Sequence, residues 1–165
     1  MVSVPKIGYA GVLGFVVFVS FIEMIIAAVL VSSYNRGHYP TTHLRDVIRY
    51  TLFVSIWTIL TGSAYAYFSL MLSTSIVASV ASNAAFVFLT WLFWLASGAS
   101  TANALGGPLS CSNKAFAHCH QLLALEAFAW IEFIVLTFTF GILAFLGYQA
   151  SRKGDGFTGP LDTAA

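Results

Sequence analysis

The chain has 165 residues, of which 59% are hydrophobic and only 8% charged, and its formal net charge is +1. An ordinary globular domain carries about 25% charged residues, so this composition excludes a soluble domain of the same size. There is no basic tract, and nothing in the charge balance points to nucleic acid or to a strongly anionic substrate.

The first predicted element is an apolar stretch over residues 7–31, interrupted by Glu23. Residues 1–6 resemble a short leader, but the run behind them exceeds the roughly 7–15 apolar residues of a signal-peptide core. It reads instead as an uncleaved first span, since crossing a bilayer takes about 20 apolar residues at about 1.5 Å of rise each. A polar loop over 32–46 follows, with Arg36, His38, Pro40, His43 and Arg45. The second span covers 47–72, and Arg49 lies near its start. Only Ser73, Thr74 and Ser75 connect it to the third span, 76–104, which requires the two to be antiparallel neighbours. A second loop, 105–120, holds Gly106, Gly107, Pro108 and both cysteines, Cys111 and Cys119. The fourth span covers 121–148, and the tail over 149–165, with three glycines and Pro160, reads as a flexible cytosolic segment. Residues 1–148 thus form one four-span domain. The runs are continuously apolar and do not alternate over about 10 residues as barrel strands do. The expected fold class is therefore all-α, an integral-membrane four-helix bundle.

Orientation does not follow from charge. Lys6, Arg152, Lys153 and the α-amino group on one side balance Arg36, Arg45, Arg49 and Lys114 on the other. The cysteines are more informative. Two of them eight positions apart in one polar loop make sense as a disulfide in an oxidising compartment. This reading puts both loops outside and both termini in the cytosol. The alternative is a pair of unrelated thiols in a cytosolic loop.

Three carboxylates fall at membrane depth: Glu23, Glu126 and Glu132. An intramembrane acid costs about 2.5–3.5 kcal/mol on insertion scales, which makes each a candidate functional group. Counted from the expected span ends, Glu23 and Glu126 both lie roughly 10 Å below the outer surface. They are expected to face each other, with at least one of them neutral. Arg49 sits at a shallower level, within snorkelling reach. Glu132 is nearer mid-bilayer and, six residues from Glu126, lies about 120° around the helix from it. Asn83 is the polar amide of span three. Two roles compete for these groups: a proton or ion relay, and interhelical hydrogen bonding. No continuous polar file is visible in the sequence, which favours the second.

The four histidines, His38, His43, His118 and His120, lie in the loops with the cysteines, but their spacings match no known metal motif. No metal or cofactor is expected. Gly8, Gly11 and Gly14 in span one, and Gly98 within the small-residue run of span three, allow close backbone approach in lipid. They serve packing within the monomer or self-association. Trp91 and Trp94 lie in mid-span, away from the interfacial belt where Trp is enriched. They pack either between helices or against a sterol ring. Tyr34 and Tyr50 fall in short patterns proposed for cholesterol contact. No catalytic triad, CxxC pair, HExxH or phosphate loop is present, so no enzymatic activity is expected.

Taken together the pattern resembles the MARVEL-domain proteins, and among them the small fungal plasma-membrane group. The features that carry the resemblance are the four spans with short ends and the run Phe93-Trp94-Leu95-Ala96-Ser97-Gly98-Ala99. They also include Cys111 and Cys119, the opening Cys119-His120-Gln121 of span four, and Ala127-Phe128-Ala129-Trp130-Ile131. The resemblance covers residues 7–148. It implies an M-shaped topology with cytosolic termini and a non-enzymatic role in membrane microdomain organisation, vesicle trafficking or membrane apposition. It also implies a plasma-membrane or secretory-pathway location, membrane lipids including sterol as partners, and homo-oligomers. The rival reading is a small proton- or ion-coupled transporter or channel working through the intramembrane carboxylates.

Overall fold

A computed structural model describes residues 6–37, 41–71, 80–107 and 118–153. They form four helices: α1 (Lys6–Gly37), α2 (Thr42–Met71), α3 (Val80–Leu105) and α4 (Cys119–Lys153). All four are long and apolar enough to cross a membrane, over Gly8–Arg36, Thr42–Met71, Ala81–Leu105 and Cys119–Gln149. The helices pack in a ring in chain order, α1 on α2, α2 on α3, α3 on α4 and α4 back on α1. With four crossings, the start of α1 and the end of α4 lie at the same end of the bundle. The fold is the all-α membrane four-helix bundle expected from the sequence.

The boundaries differ from those read off hydropathy, and the differences matter for the site. Residues 32–37 and 42–46, expected in a loop, are helical. α1 continues to Gly37 and α2 begins at Thr42. No glycine or proline interrupts residues 32–36, so helical hydrogen bonding carries on after the hydrophobicity has fallen. Thr41 then starts α2 as its cap, its Oγ1 accepting from the Leu44 amide at 3.1 Å. At the other end, α4 runs to Lys153, five residues into the segment expected to be flexible tail. The connector 73–75, Pro108, Cys111 and residues 154–165 lie outside the described residues.

α3 ends in a Schellman motif. The Gly107 amide donates to the Ala102 carbonyl at 3.1 Å and the Gly106 amide to Asn103 at 3.2 Å. Gly106 has φ 81°, a left-handed conformation that only glycine adopts without strain. α4 starts from His118, whose carbonyl accepts from Gln121 and Leu122 and whose own φ is 69°.

The buried residues repeat every three and four positions. Along α1 they include Tyr9, Leu13, Val16, Ser20, Glu23, Ala27, Leu30 and Tyr34, and along α4 Leu122, Leu125, Ala129, Glu132, Leu136, Thr139, Leu143 and Leu146. A 3.5-residue repeat is the signature of left-handed knobs-into-holes packing. α2 contributes Leu44, Ile48, Thr51, Ser55 and Thr58 in the same rhythm, and α3 contributes Asn83, Val87, Thr90, Trp94, Ser97 and Thr101. The outward faces carry large apolar side chains instead, among them Phe18, Leu60, Phe138 and Phe145.

Candidate functional site

The interior seam is where the polar residues of this chain collect. In hydrocarbon each polar group must find a partner within the protein. Hydroxyls solve this inside their own helix. Thr51, Ser55, Thr58, Thr101 and Thr139 each donate to the carbonyl four residues earlier, at 2.8–3.1 Å. Amide and phenol groups solve it between helices. The Tyr9 hydroxyl donates to Asn83 Oδ1 at 2.9 Å, joining α1 to α3 across the bundle. Thr51 Oγ1 and Ser97 Oγ are 2.8 Å apart, tying α2 to α3. Trp91 Nε1 donates to Thr137 Oγ1 at 2.8 Å, tying α3 to α4.

A carboxylate has neither solution to hand. It only accepts hydrogen bonds, and the amides of a helix interior are already committed to the ladder. Glu23 and Glu132 are 0% and 1% exposed, on the core stripes of α1 and α4. Ser20, one turn from Glu23, donates to Glu132 Oε1 at 3.1 Å and so links the two helices. The remaining oxygens, Glu23 Oε1 and Oε2 and Glu132 Oε2, have no hydrogen-bond partner among the described residues.

The expected placement of Glu23 level with Glu126 is therefore corrected: Glu132 stands at the depth of Glu23, and Ser20 on the Glu23 stripe bonds to it. The reason is the length of α1. Glu23 lies 14 residues before Gly37 and Glu132 lies 13 after Cys119, which are equal depths of about 20 Å from the connecting end. The shallower placement came from ending the first span at residue 31. Glu126, seven residues into α4, is fully buried nearer that end. Arg49 is on the exposed side of α2, seven residues in from Thr42.

The other expected positions divide in the same way. Gly8, Gly11 and Gly14 are exposed, and a β-carbon built on Gly11 or Gly14 would meet nothing within 4 Å. Gly98 faces inward, and a β-carbon there would lie 3.3 Å from Trp130 Cε2. Trp94 is 0% and Tyr34 4% exposed, so both pack between helices and neither presents a face to lipid or sterol. Trp91 and Tyr50 are half-buried; Trp91 stacks between Phe88 and Phe133, and the Tyr50 hydroxyl donates to the Phe93 carbonyl at 3.4 Å. Cys119 opens α4, but Cys111 lies outside the described residues, and with it their pairing.

Sequence reasoning missed Ser20 and Gly62. Ser20 is an ordinary small residue until its position one turn before Glu23, on the same face, is considered. Gly62 sits where α2 meets α1, with room for no side chain: a β-carbon there would stand 2.9 Å from Val17 Cγ2.

The family model of the MARVEL membrane-associating domain matches residues 9–142. Neither the curated proteins nor the solved structures contain a match. The matched region runs from Tyr9, the first tertiary hydrogen bond of α1, to within a residue of the buried Leu143 of α4.

Proposed function

The chain belongs to the MARVEL family of membrane-associating domains, and from that premise we propose that it is a non-enzymatic organiser of membrane. It would act by associating with copies of itself and with lipid, in microdomain formation, vesicle trafficking or membrane apposition. Its place would be the plasma membrane or another membrane of the secretory pathway.

The observation that carries this reading is the open small-residue face of α1. Gly11 and Gly14 are exposed with no neighbouring atoms where a side chain would begin, while Phe15 and Phe18 stand out beside them. In lipid, helices associate through close backbone approach and packing, because apolar surface gains nothing by leaving one hydrocarbon for another. A flat strip flanked by aromatic side chains suits such an approach. The inward-facing hydroxyls and the Asn83 amide are engaged within the monomer, and the outer surface is left for lipid and other helices.

The test is energy transfer between donor- and acceptor-labelled copies of the full chain in liposomes, read as lipid is added at constant protein. Transfer that persists above the level of random proximity supports association. A chain that behaves as a monomer at every protein-to-lipid ratio would remove the basis of the proposal.

A further inference from the structure

The carboxyl pair between α1 and α4 has no role in the outward-facing contacts proposed above, and its chemistry is incomplete. Among the residues whose burial is described, the buried charged-type side chains are Glu23, Glu126 and Glu132, and no arginine or histidine is among them. The cationic residues of α2, His43, Arg45 and Arg49, all lie within its first eight residues, shallower than Glu23 and Glu132, and α3 carries none. Three of the four carboxyl oxygens of the pair lack a hydrogen-bond partner. Two unneutralised carboxylates in hydrocarbon repel each other and forgo solvation that the protein does not replace.

A second observation comes from α3. Trp94 is 0% exposed and its Nε1 likewise has no hydrogen-bond partner. Its side chain belongs to the same core cluster as Ala129 and Leu136. Counted from the connecting end, Trp94 lies 11 residues before Leu105 and Glu132 lies 13 after Cys119, depths of about 16 and about 20 Å, so the unpartnered donor stands within a turn of the level of the unpartnered acceptors. A native interior leaves few such groups, and each one calls for an explanation. A positive charge supplied to the carboxyl oxygens, with a water whose lone pair meets the indole N–H, completes all of them.

We propose that Glu23, Glu132 and Ser20 form a mid-membrane binding site for a single small cation, either a proton or a monovalent metal ion. A divalent ion fits poorly. Calcium takes about 6–8 oxygen ligands and magnesium about six in strict octahedral geometry. Among the described residues no three acidic, histidine or cysteine side chains come together. The proposal concerns binding alone and requires no passage across the bilayer. It stands independently of self-association, because the site lies within one chain.

The experiment uses the full chain in liposomes of neutral lipid and dicyclohexylcarbodiimide, an apolar reagent that modifies carboxyls only when they carry a proton. Modified residues are mapped by peptide mass spectrometry across a pH series, in choline chloride and in sodium or potassium chloride. Labelling is expected at Glu23 or Glu132, with a rate that falls about tenfold per pH unit above the midpoint. If the natural occupant is a metal ion, sodium or potassium will also slow labelling at fixed pH relative to choline. A pH effect with no salt effect identifies the proton. Glu23→Gln is expected to move the pH midpoint or salt response of labelling at Glu132. Ser20→Ala, which keeps both carboxyls, is expected to do so to a smaller extent. Absence of labelling at both positions at every pH overturns the proposal, as does labelling indifferent to both pH and salt. An unchanged Glu132 response in a folded Glu23→Gln chain overturns the pairing. The wild-type series decides the matter if that variant does not insert.

Discussion

A β-carbon on Gly62 of α2 would stand 2.9 Å from Val17 Cγ2 of α1, so the two helices meet at a point where only glycine fits. Valine in a helix is held in essentially one rotamer, which leaves Val17 little freedom to move aside. Gly62→Ala is expected to destabilise the bundle by about 1–3 kcal/mol, as overpacking does elsewhere. Val17→Ala in the same chain should recover much of that loss. Unfolding of the single and double variants in mixed micelles measures both. A neutral Gly62→Ala would show that α1 and α2 are less closely held than the geometry requires.

Gly11 and Gly98 should part company when each is replaced by leucine. At Gly98 the new side chain collides with Trp130 inside the monomer, and a loss of about 1–3 kcal/mol or more is expected. At Gly11 it enters open space, and monomer stability should change by no more than about 0.5 kcal/mol. If the open strip is the self-association face, Gly11→Leu will lower energy transfer between labelled copies in liposomes while leaving the melting of the monomer alone. Equal effects of the two variants on assembly would count against that assignment.

The Tyr9–Asn83 bond ties α1 to α3, helices that do not adjoin in the ring. Interhelical hydrogen bonds in membrane bundles are worth about 0.6 kcal/mol on average and up to about 1.7. A double-mutant cycle on Tyr9→Phe and Asn83→Ala is expected to return a coupling energy in that range. A coupling of zero would mean that each group is equally well satisfied without the other.

Cys111 and Cys119 are expected to form a disulfide on the extracellular or lumenal side. The ring they would close has nine residues, counted from 111 to 119 inclusive. The chain-entropy model assigns it roughly 2–3 kcal/mol of stabilisation. Such a link would anchor the start of α4, which begins at Cys119, and thereby hold Gln121 and Glu126 in register. On intact cells, a membrane-impermeant maleimide should label the cysteines only after external reductant. An epitope placed beyond Arg152 should be inaccessible from outside. Labelling without reductant removes the disulfide, and an exposed tail reverses the orientation.

Much of the architecture was legible in the sequence, because a bilayer reads length and apolarity directly. Four continuous apolar runs can be nothing but spanning helices, and the third and fourth carried enough particular residues to suggest the family that the match over residues 9–142 shows. The Schellman end of α3 was foreshadowed by Gly106 and Gly107. The facing of each helix was not legible. In a soluble bundle the outward side is polar and marks the inward side by contrast, whereas here Phe18 and Phe138 point outward as readily as Leu13 and Leu136 point inward. Only the tertiary structure decided that Trp94 and Tyr34 are interior, that Gly11 is open while Gly98 is packed, and that Glu132, not Glu126, shares the depth of Glu23. That shared depth turned on six residues of α1 beyond the hydrophobic run, 32–37, which remain helical because backbone hydrogen bonds, unlike side-chain transfer energies, do not depend on where the hydrocarbon ends.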